Sequence, residues 1–262
     1  METRKEINLK TYEFIKNYLY INTKEDGKQR FIPNEPQLKL YREIRRQEKE
    51  GKPVRIIILK ARQIGFSTAT GGKIFSNTIF NTHSHSCIVS QIDSTATNIF
   101  TMYKNFYDWL PNDLKPSVRT SNAKELIFDN KQRTGLDSRI TVLSASDDVG
   151  RGNTFQYVHL SEFAFWQCDK IRAFGSLMSA VPKGENSMVI IESTANGFDE
   201  FVQVPGAVLH WYSLDELYSR IQSMNPNDTW YKLVMLEAML FEPYFTLSTE
   251  LDKKGKQIPS KK

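Results

Sequence analysis

The sequence is poor in the residues that cross-link a chain or anchor it in a membrane. Its 262 residues include only two cysteines, Cys87 and Cys168, which are far apart and have no His or Cys neighbours at metal-ligand spacing. A disulfide scaffold and a zinc site are therefore not supported. No stretch approaches the roughly 20 apolar residues that span a bilayer, and the N-terminus has no apolar signal segment. These absences favour a soluble, intracellular protein with no membrane partner.

Low-complexity tracts are also absent, apart from a short lysine-rich tail, and neither sign of charge dominates. The 35 Lys and Arg residues are interspersed with 30 Asp and Glu residues, which gives a formal net charge of +5. This balance suits a protein that meets nucleic acid on one face, but many other proteins share it. Basic clusters at 42–52 and 253–262 are interpreted as a solvated helix face and a frayed terminus.

Apolar runs alternate with segments of helical periodicity along most of the chain. Residues 34–50 have apolar side chains near 3.6-residue spacing and predict a helix, and the β-branched run at 54–59 predicts a buried strand. Further strands are predicted at 87–90, 157–160 and 188–191, a hairpin within 124–145, and further helices ending near residue 80 and over 93–110 and 168–180. This alternation indicates an α/β fold with a mostly parallel sheet.

The segment after the first strand, KARQIGFST, partly matches a phosphate-binding loop. Such a loop, G-x-x-x-x-G-K-[ST], brings amides of a helix N-terminus, a lysine and a hydroxyl to a triphosphate. With Gly65 as the second glycine, Lys60 replaces the first glycine and Phe66 replaces the lysine. Ser67 keeps the hydroxyl position. The strict pattern fails, but Lys60 or Arg62 could supply the displaced positive charge. From this segment alone, a plain strand-to-helix junction remains the alternative.

Two further strands end in residues that suit phosphate chemistry. The strand at 157–160 continues into Ser161 and Glu162, and Glu162 is the candidate carboxylate that activates water. The strand at 188–191 continues into ESTANG, where small polar side chains could sense the γ-phosphate. These coupling candidates are Ser193, Thr194 and Asn196. Ordinary surface chemistry and a strand-end turn are the alternatives. Ligands of open α/β sheets bind at the carboxyl ends of strands, so the three segments together predict a nucleotide site.

In this order, the segments resemble the ATPase domain of the large subunit of tailed-bacteriophage terminases. The resemblance covers about residues 30–249. It includes RQIGFS at 62–67, VSQ at 89–91, LSA at 143–145, RG at 151–152, EFA at 162–164, ESTANG at 192–197 and FEPY at 241–244. Two residues depart from the family pattern: Phe66 stands at the loop lysine, and Ser161 stands where the family usually has an aspartate.

The resemblance implies a RecA-like P-loop ATPase core, a mostly parallel sheet flanked by helices with a small C-terminal helical extension. We expect an N-terminal segment at 1–30, the ATPase domain at 31–249 and a lysine-rich tail at 250–262 that is a candidate for disorder. Residues 198–240 are predicted to be largely helical. A nuclease domain is not expected within this chain.

The implied activity is ATP hydrolysis with Mg²⁺, driving double-stranded DNA into a viral procapsid in the cytoplasm of the infected bacterial host. The implied partners are the DNA, the portal protein, the small terminase subunit and further copies of the chain in a ring. Nuclease activity is not expected. Two alternatives remain open: a superfamily 2-type helicase or translocase core, and a nucleotide-binding scaffold subunit with little hydrolysis.

Residue roles are assigned from these motifs. Ser67 is the predicted magnesium ligand, Glu162 acts on the metal through water, and Arg151 is a predicted arginine finger that reaches ATP on a neighbouring subunit. A salt bridge to Asp147 or Asp148 is the alternative for Arg151. Gln37 is predicted to contact adenine because an amide both donates and accepts, with an ordinary polar helix position as the alternative. The candidate nucleotide-binding residues are Gln37, Lys60, Ala61, Arg62, Gln63, Ile64, Gly65, Phe66, Ser67 and Thr68.

Overall fold

The computed structural model describes residues 4–23, 25–60, 63–91, 93–130, 132, 134–194 and 231–235. Helices in this part of the chain are α1 (Arg4–Tyr18), α2 (Glu35–Lys49), α3 (Phe66–Phe80), α4 (Asp93–Asp108) and α5 (Lys170–Ser179). Strands are β1 (Tyr20–Thr23), β2 (Gly27–Arg30), β3 (Val54–Lys60), β4 (His85–Ser90), β5 (Thr120–Ser121), β6 (Glu125–Phe128), β7 (Ser138–Ser144), β8 (Tyr157–Ser161), β9 (Met188–Thr194) and β10 (Tyr231–Met235). Short 3-10 turns lie at Asn112–Leu114 and Phe163–Phe165.

Within these described ranges the main sheet has eight strands in the order β10-β3-β9-β8-β4-β7-β6-β5. The strands from β10 to β7 are parallel neighbours, whereas β6 and β5 add antiparallel pairs at one edge. Parallel neighbours need crossover connections, and the helices of such connections cover the faces of the sheet. The predicted α/β fold with a mostly parallel sheet is confirmed.

Alternate residues of the central strands fill two separate cores. Ile56 and Ile58 of β3 belong to the core beneath α3, together with residues of α1, α2 and α4. Ile57 and Leu59 belong to the core on the other face, beneath α5. Burial on both faces explains why this strand is a continuous apolar run rather than an alternating one. Successive side chains of β3, β8 and β9 point to opposite faces of the sheet. The position of a polar residue in this alternation therefore decides which of the two cores its side chain enters.

Most predicted elements are confirmed to within a few residues, including the hairpin, which is formed by β6 and β7. Two parts of the chain differ from expectation. Residues 1–30, predicted only as an N-terminal segment, contain α1 and the hairpin of β1 and β2. The helical prediction for 198–240 is wrong at Tyr231–Met235, which pairs with β3 as a parallel strand. The remainder of that range, the FEPY segment and the lysine-rich tail lie outside the described residues.

Both cysteines are free, and Cys87 is buried in the core beneath α5. In the part of the chain that the structure describes, no helix is long and apolar enough to cross a bilayer.

Candidate active site

The carboxyl ends of three adjacent strands bring charged and hydroxyl side chains together. Lys60 ends β3, Glu192 and Thr194 lie at the end of β9, and Ser161 ends β8. The register pairs Lys60 with Thr194 and Ser161 with Glu192. By parity with the Ile58 side chain, these four residues point to the face of the sheet that α3 covers. The predicted convergence of the three segments is therefore present in the fold.

A turn with two left-handed residues leads from β3 into α3. Gln63 has φ of 64° and Gly65 has φ of 80°, a region in which glycine carries no steric cost. A Cβ atom at Gly65 would also lie only 2.5 Å from the side-chain nitrogen of Gln37. Gly65 is the N-cap of α3 and provides no side-chain cap, so the positive end of this helix is open to an anion.

Gln37 holds this turn from the first turn of α2. Its Oε1 accepts a hydrogen bond from the Asn34 amide at 2.9 Å, which is half of a capping box. Its Nε2 donates to the carbonyl of Gly65 at 2.7 Å. The side chain is buried, and its amide is used by the backbone of α2 and of the turn. Gln37 therefore holds the turn between β3 and α3, and its predicted contact with adenine stays a prediction.

Lys60 forms the centre of the charged cluster. Its Nζ lies 3.2 Å from Glu162 Oε1 and 3.4 Å from Glu192 Oε2, and it donates to Ser67 Oγ at 3.3 Å. Burial acts to lower the pKa of Lys60, but the carboxylates of Glu192 and Glu162 outweigh burial and raise it. The ammonium group is consequently charged at neutral pH, with only 8% of the side chain exposed.

Glu192 is a fully buried carboxylate in the middle of the site. It accepts hydrogen bonds on Oε1 from Ser67 Oγ and, at 3.4 Å, from Ser161 Oγ, and it contacts His159 Nε2 at 2.9 Å. Burial acts to raise the pKa of Glu192, but Lys60 and His159 lower it to about 2. The carboxylate is therefore ionised at neutral pH.

Neither Glu192 nor His159 was among the site residues predicted from the sequence. A signal for them is nevertheless present, because each interrupts an apolar run in a strand that is buried on both faces. A polar side chain in such a strand needs a partner, which makes it a candidate for function.

Glu162 follows β8 in a left-handed conformation with φ of 50°, which is uncommon for a side-chain-bearing residue and concentrates at functional sites. Its Oε2 accepts from the Thr194 amide at 3.1 Å and from Thr194 Oγ1 at 3.0 Å. Its side chain is 29% exposed. One oxygen is thus fixed by the neighbouring strand, and the carboxylate still borders solvent.

Several predicted site residues direct their side chains elsewhere. Phe66 and Ile64 are buried in the core beneath α3, so only their backbone groups can face a ligand. Ser193 lies on the opposite face of β9, where its Oγ accepts from the Ala164 amide at 3.1 Å. Gln63 is exposed on the turn, and Thr68 is half-buried in the first turn of α3.

Arg151 lies in the loop between β7 and β8 and pairs with Asp148, with Nη2 3.1 Å from Oδ1. Its side chain is 70% exposed, and the salt bridge that the sequence offered as the alternative is present in the single chain. The same carboxylate pairs with Arg172 at 3.3 Å. Ala61, Arg62 and Asn196 lie outside the described residues.

Solved structures of phage large terminases are similar to this chain. The large terminase of bacteriophage HK97 is similar with a TM-score of 0.60 at 18% identity, covering 89% of this chain and 44% of that chain. This chain has the large-terminase fold. The large terminase ATPase domain of Thermus phage P74-26 has a TM-score of 0.45 at 16% identity, covering 75% of this chain and 90% of that chain. No protein-family model matches the sequence.

The similarity to the HK97 large terminase agrees with the α/β class and mostly parallel sheet expected from the motifs. This chain spans less than half the length of the HK97 protein.

Proposed function

We propose that this chain is the ATP-hydrolysing motor domain of a viral terminase large subunit, which moves double-stranded DNA into a procapsid. The proposal rests on one observation: Lys60, Ser67 and Glu162 meet at the carboxyl ends of parallel strands, beside the open N-terminus of α3. The large-terminase fold supports it. In this role the chain works in the cytoplasm of the infected bacterial host. Its partners are the portal protein, the small terminase subunit and further copies of itself in a ring.

The residues present fit ATP with Mg²⁺. The uncapped first turn of α3 and the ammonium of Lys60 suit phosphate oxygens. Ser67 offers its hydroxyl as a metal ligand, and Glu192 Oε2 is a buried oxygen that accepts no hydrogen bond from the described residues. Magnesium, when bound, neutralises charge that develops on the phosphates. Gln37 keeps its predicted adenine contact as part of this proposal.

Glu162 is the group that would take the proton from the attacking water. The two bonds from Thr194 fix Oε2 and thereby aim Oε1. As the water oxygen bonds to the γ-phosphorus, the bond to the β,γ-bridging oxygen breaks and the proton moves to Glu162 Oε1. Lys60 contacts that oxygen in the free protein, so it exchanges this partner for phosphate oxygens when nucleotide binds.

The direct test is phosphate release by the purified chain with ATP, with and without double-stranded DNA. We expect hydrolysis that requires Mg²⁺, is lost with a chelator and is stimulated by double-stranded DNA. ATP binding without turnover under all conditions, including those that promote assembly, would favour the scaffold function. Stimulation by single-stranded DNA alone would favour the helicase function.

Arg151 is proposed to act on ATP bound by a neighbouring subunit. Replacing Arg151 with alanine should leave ATP binding intact and slow hydrolysis in the assembled state, since arginine fingers contribute roughly 10³ to 10⁵ in rate where measured. The measurement mixes Arg151→Ala subunits with Glu162→Gln subunits under assembling conditions. Each variant alone should hydrolyse ATP far more slowly than the unmodified chain, but a mixed interface joins an intact Glu162 to an intact Arg151, so partial activity should return.

Arg172→Ala is the matched control, because Arg172 is also exposed and pairs with the same Asp148 carboxylate. It should assemble and hydrolyse ATP normally. If Arg151→Ala and Glu162→Gln subunits assemble together without any recovery, Arg151 does not act across the interface.

A further inference from the structure

A P-loop ATPase normally holds magnesium with the loop hydroxyl and with an aspartate from a second segment of the chain. Here the loop hydroxyl is present as Ser67, but the strand residue before Glu162 is Ser161. A neutral serine offers far less to a hard cation than a carboxylate oxygen does. The site therefore needs its metal-holding carboxylate from another position.

Glu192 is placed to fill that position from β9, the strand that lies between β8 and β3 in the sheet. It is the cross-strand partner of Ser161 in the parallel register of β8 and β9. Cross-strand partners point to the same face about 4.8 Å apart, and the glutamate side chain is one methylene longer than aspartate. Its carboxylate consequently reaches back to Ser161, with Oε1 3.4 Å from the serine hydroxyl.

The Glu192 carboxylate also points toward the hydroxyl of Ser67. Ser67 Oγ donates its hydrogen bond to Glu192 Oε1, so the two metal-binding groups are already in contact in the free protein. Glu162, in contrast, is held on Oε2 by Thr194 and has no hydrogen bond from Ser67 among the described contacts.

We propose that Glu192 supplies the magnesium-holding carboxylate of this site, in place of the aspartate that Ser161 replaces. This assignment rests on the proposed ATPase function. On this assignment the metal-binding carboxylate lies on β9 instead of β8. The water-activating carboxylate, Glu162, still lies at the end of β8.

One oxygen of Glu192 is left for such a ligand. The side chain is fully buried, and Oε2 accepts no hydrogen bond from any described residue. Its ion-pair contact is the ammonium of Lys60 at 3.4 Å. The ammonium is therefore the partner of this oxygen in the free protein. When Lys60 turns to the phosphates of a bound nucleotide, Oε2 is left to contact the cation that arrives with that nucleotide.

His159 acts as the positioning residue for this carboxylate. It lies two residues before Ser161 on the same face of β8, and its Nε2 is 2.9 Å from Glu192 Oε1. Its imidazole is fully buried and holds Glu192 by this contact to Oε1. Partners of this kind fix the direction of metal ligands and are part of the site.

The test measures ATPγS binding by calorimetry, in magnesium and in chelator, with folding checked by circular dichroism. In the unmodified chain, magnesium should tighten binding. In Glu192→Gln this gain should fall by about tenfold or more, the scale seen when groups around a bound metal are removed. In Ser161→Asp/Glu192→Gln, which returns a carboxylate to β8, much of the gain should come back. Glu185→Gln, an exposed glutamate ahead of β9, should behave like the unmodified chain.

The possible failures are distinguishable. If the unmodified chain does not bind ATPγS in either condition, the proposed ATPase function is wrong and this assignment falls with it. If magnesium tightens binding equally in the unmodified chain and in Glu192→Gln, only the assignment of Glu192 is wrong. Should Glu192→Gln not fold, a crystal structure of the unmodified chain with magnesium and ATPγS decides. The Glu192 carboxylate should contact the ion or one of its waters, and a carboxylate remote from both would overturn the assignment.

Discussion

Replacing Glu162 with glutamine is expected to abolish ATP hydrolysis while leaving ATP binding intact. Glutamine keeps the shape of the side chain and an oxygen that can accept from Thr194, so the end of β8 should retain its position. It cannot take a proton from water, and loss of a positioned general base typically costs 10² to 10⁴ in rate, roughly. The measurement is single-turnover hydrolysis beside equilibrium binding of ATP with Mg²⁺.

Glu185→Gln makes the same chemical change at an exposed position and should hydrolyse ATP at the unmodified rate. Hydrolysis that is unchanged in Glu162→Gln would remove Glu162 from the catalytic role. Glu162→Gln should also keep the magnesium-dependent gain in ATPγS binding that Glu192→Gln loses. The two carboxylates would then be separated by function, one acting on water and the other on the metal.

Replacing Lys60 with alanine is expected to weaken ATP binding and to destabilise the free protein. Without Lys60 the phosphates lose the cation at the end of β3, and a tenfold loss of affinity corresponds to about 1.4 kcal/mol. The buried charge of Glu192 also loses its ion-pair partner, and breaking a buried pair from one side costs about 3 to 5 kcal/mol. Calorimetric binding of ATP and thermal unfolding measure the two effects separately.

The matched control is Lys52→Ala, at the other end of β3, where the lysine is exposed and pairs only with Glu50 among the described ion pairs. It should leave both quantities unchanged. Lys60→Arg keeps the positive charge and should therefore fold. If Lys60→Ala does not fold, ATP binding by Lys60→Arg reports on the phosphate contact. Arg62→Ala is measured in parallel. If neither basic residue contacts the phosphates in a nucleotide complex, the displaced-charge hypothesis is wrong.

Phe66→Ala is not a suitable control, although Phe66 stands where the loop lysine would be. Its side chain is fully buried beneath α3, and truncating a buried phenylalanine costs about 3 to 5 kcal/mol. A loss of ATP binding in that variant would report unfolding.

Local patterns were enough to predict much of this fold. The helix at 34–50 has its own capping residues and apolar face, and the strand at 54–59 is a β-branched run, so each is specified by neighbours in sequence. The convergence of three strand ends followed from the general geometry of parallel sheets. The catalytic candidate Glu162 could be named for the same reason.

What the sequence could not predict depends on pairing between distant segments. The contact of Glu192 with Ser161 exists only because β8 and β9 are neighbours in this register, and a shift by one residue would turn Glu192 to the other face. The same alternation puts the Ser193 side chain on the opposite face of β9 from Glu192. The strand at Tyr231–Met235 is defined by its pairing with β3, which local periodicity does not encode.

The N-terminal helix matters for anyone who shortens this protein for biochemistry. Phe14 of α1 packs edge-on against Phe80 at the far end of α3, with ring centroids 4.7 Å apart, and Ile15 is completely buried. A fragment that starts at residue 31, where the ATPase domain was expected to begin, would lack α1. The apolar face of α3, whose first turn carries Ser67, would then lose its packing against α1. If the proposed function holds, such a fragment should lose nucleotide binding because α3 is loosened, even though Ser67 and the turn before it are intact. Its inactivity would then look the same as the inactivity of a chain that lacks its neighbouring subunit.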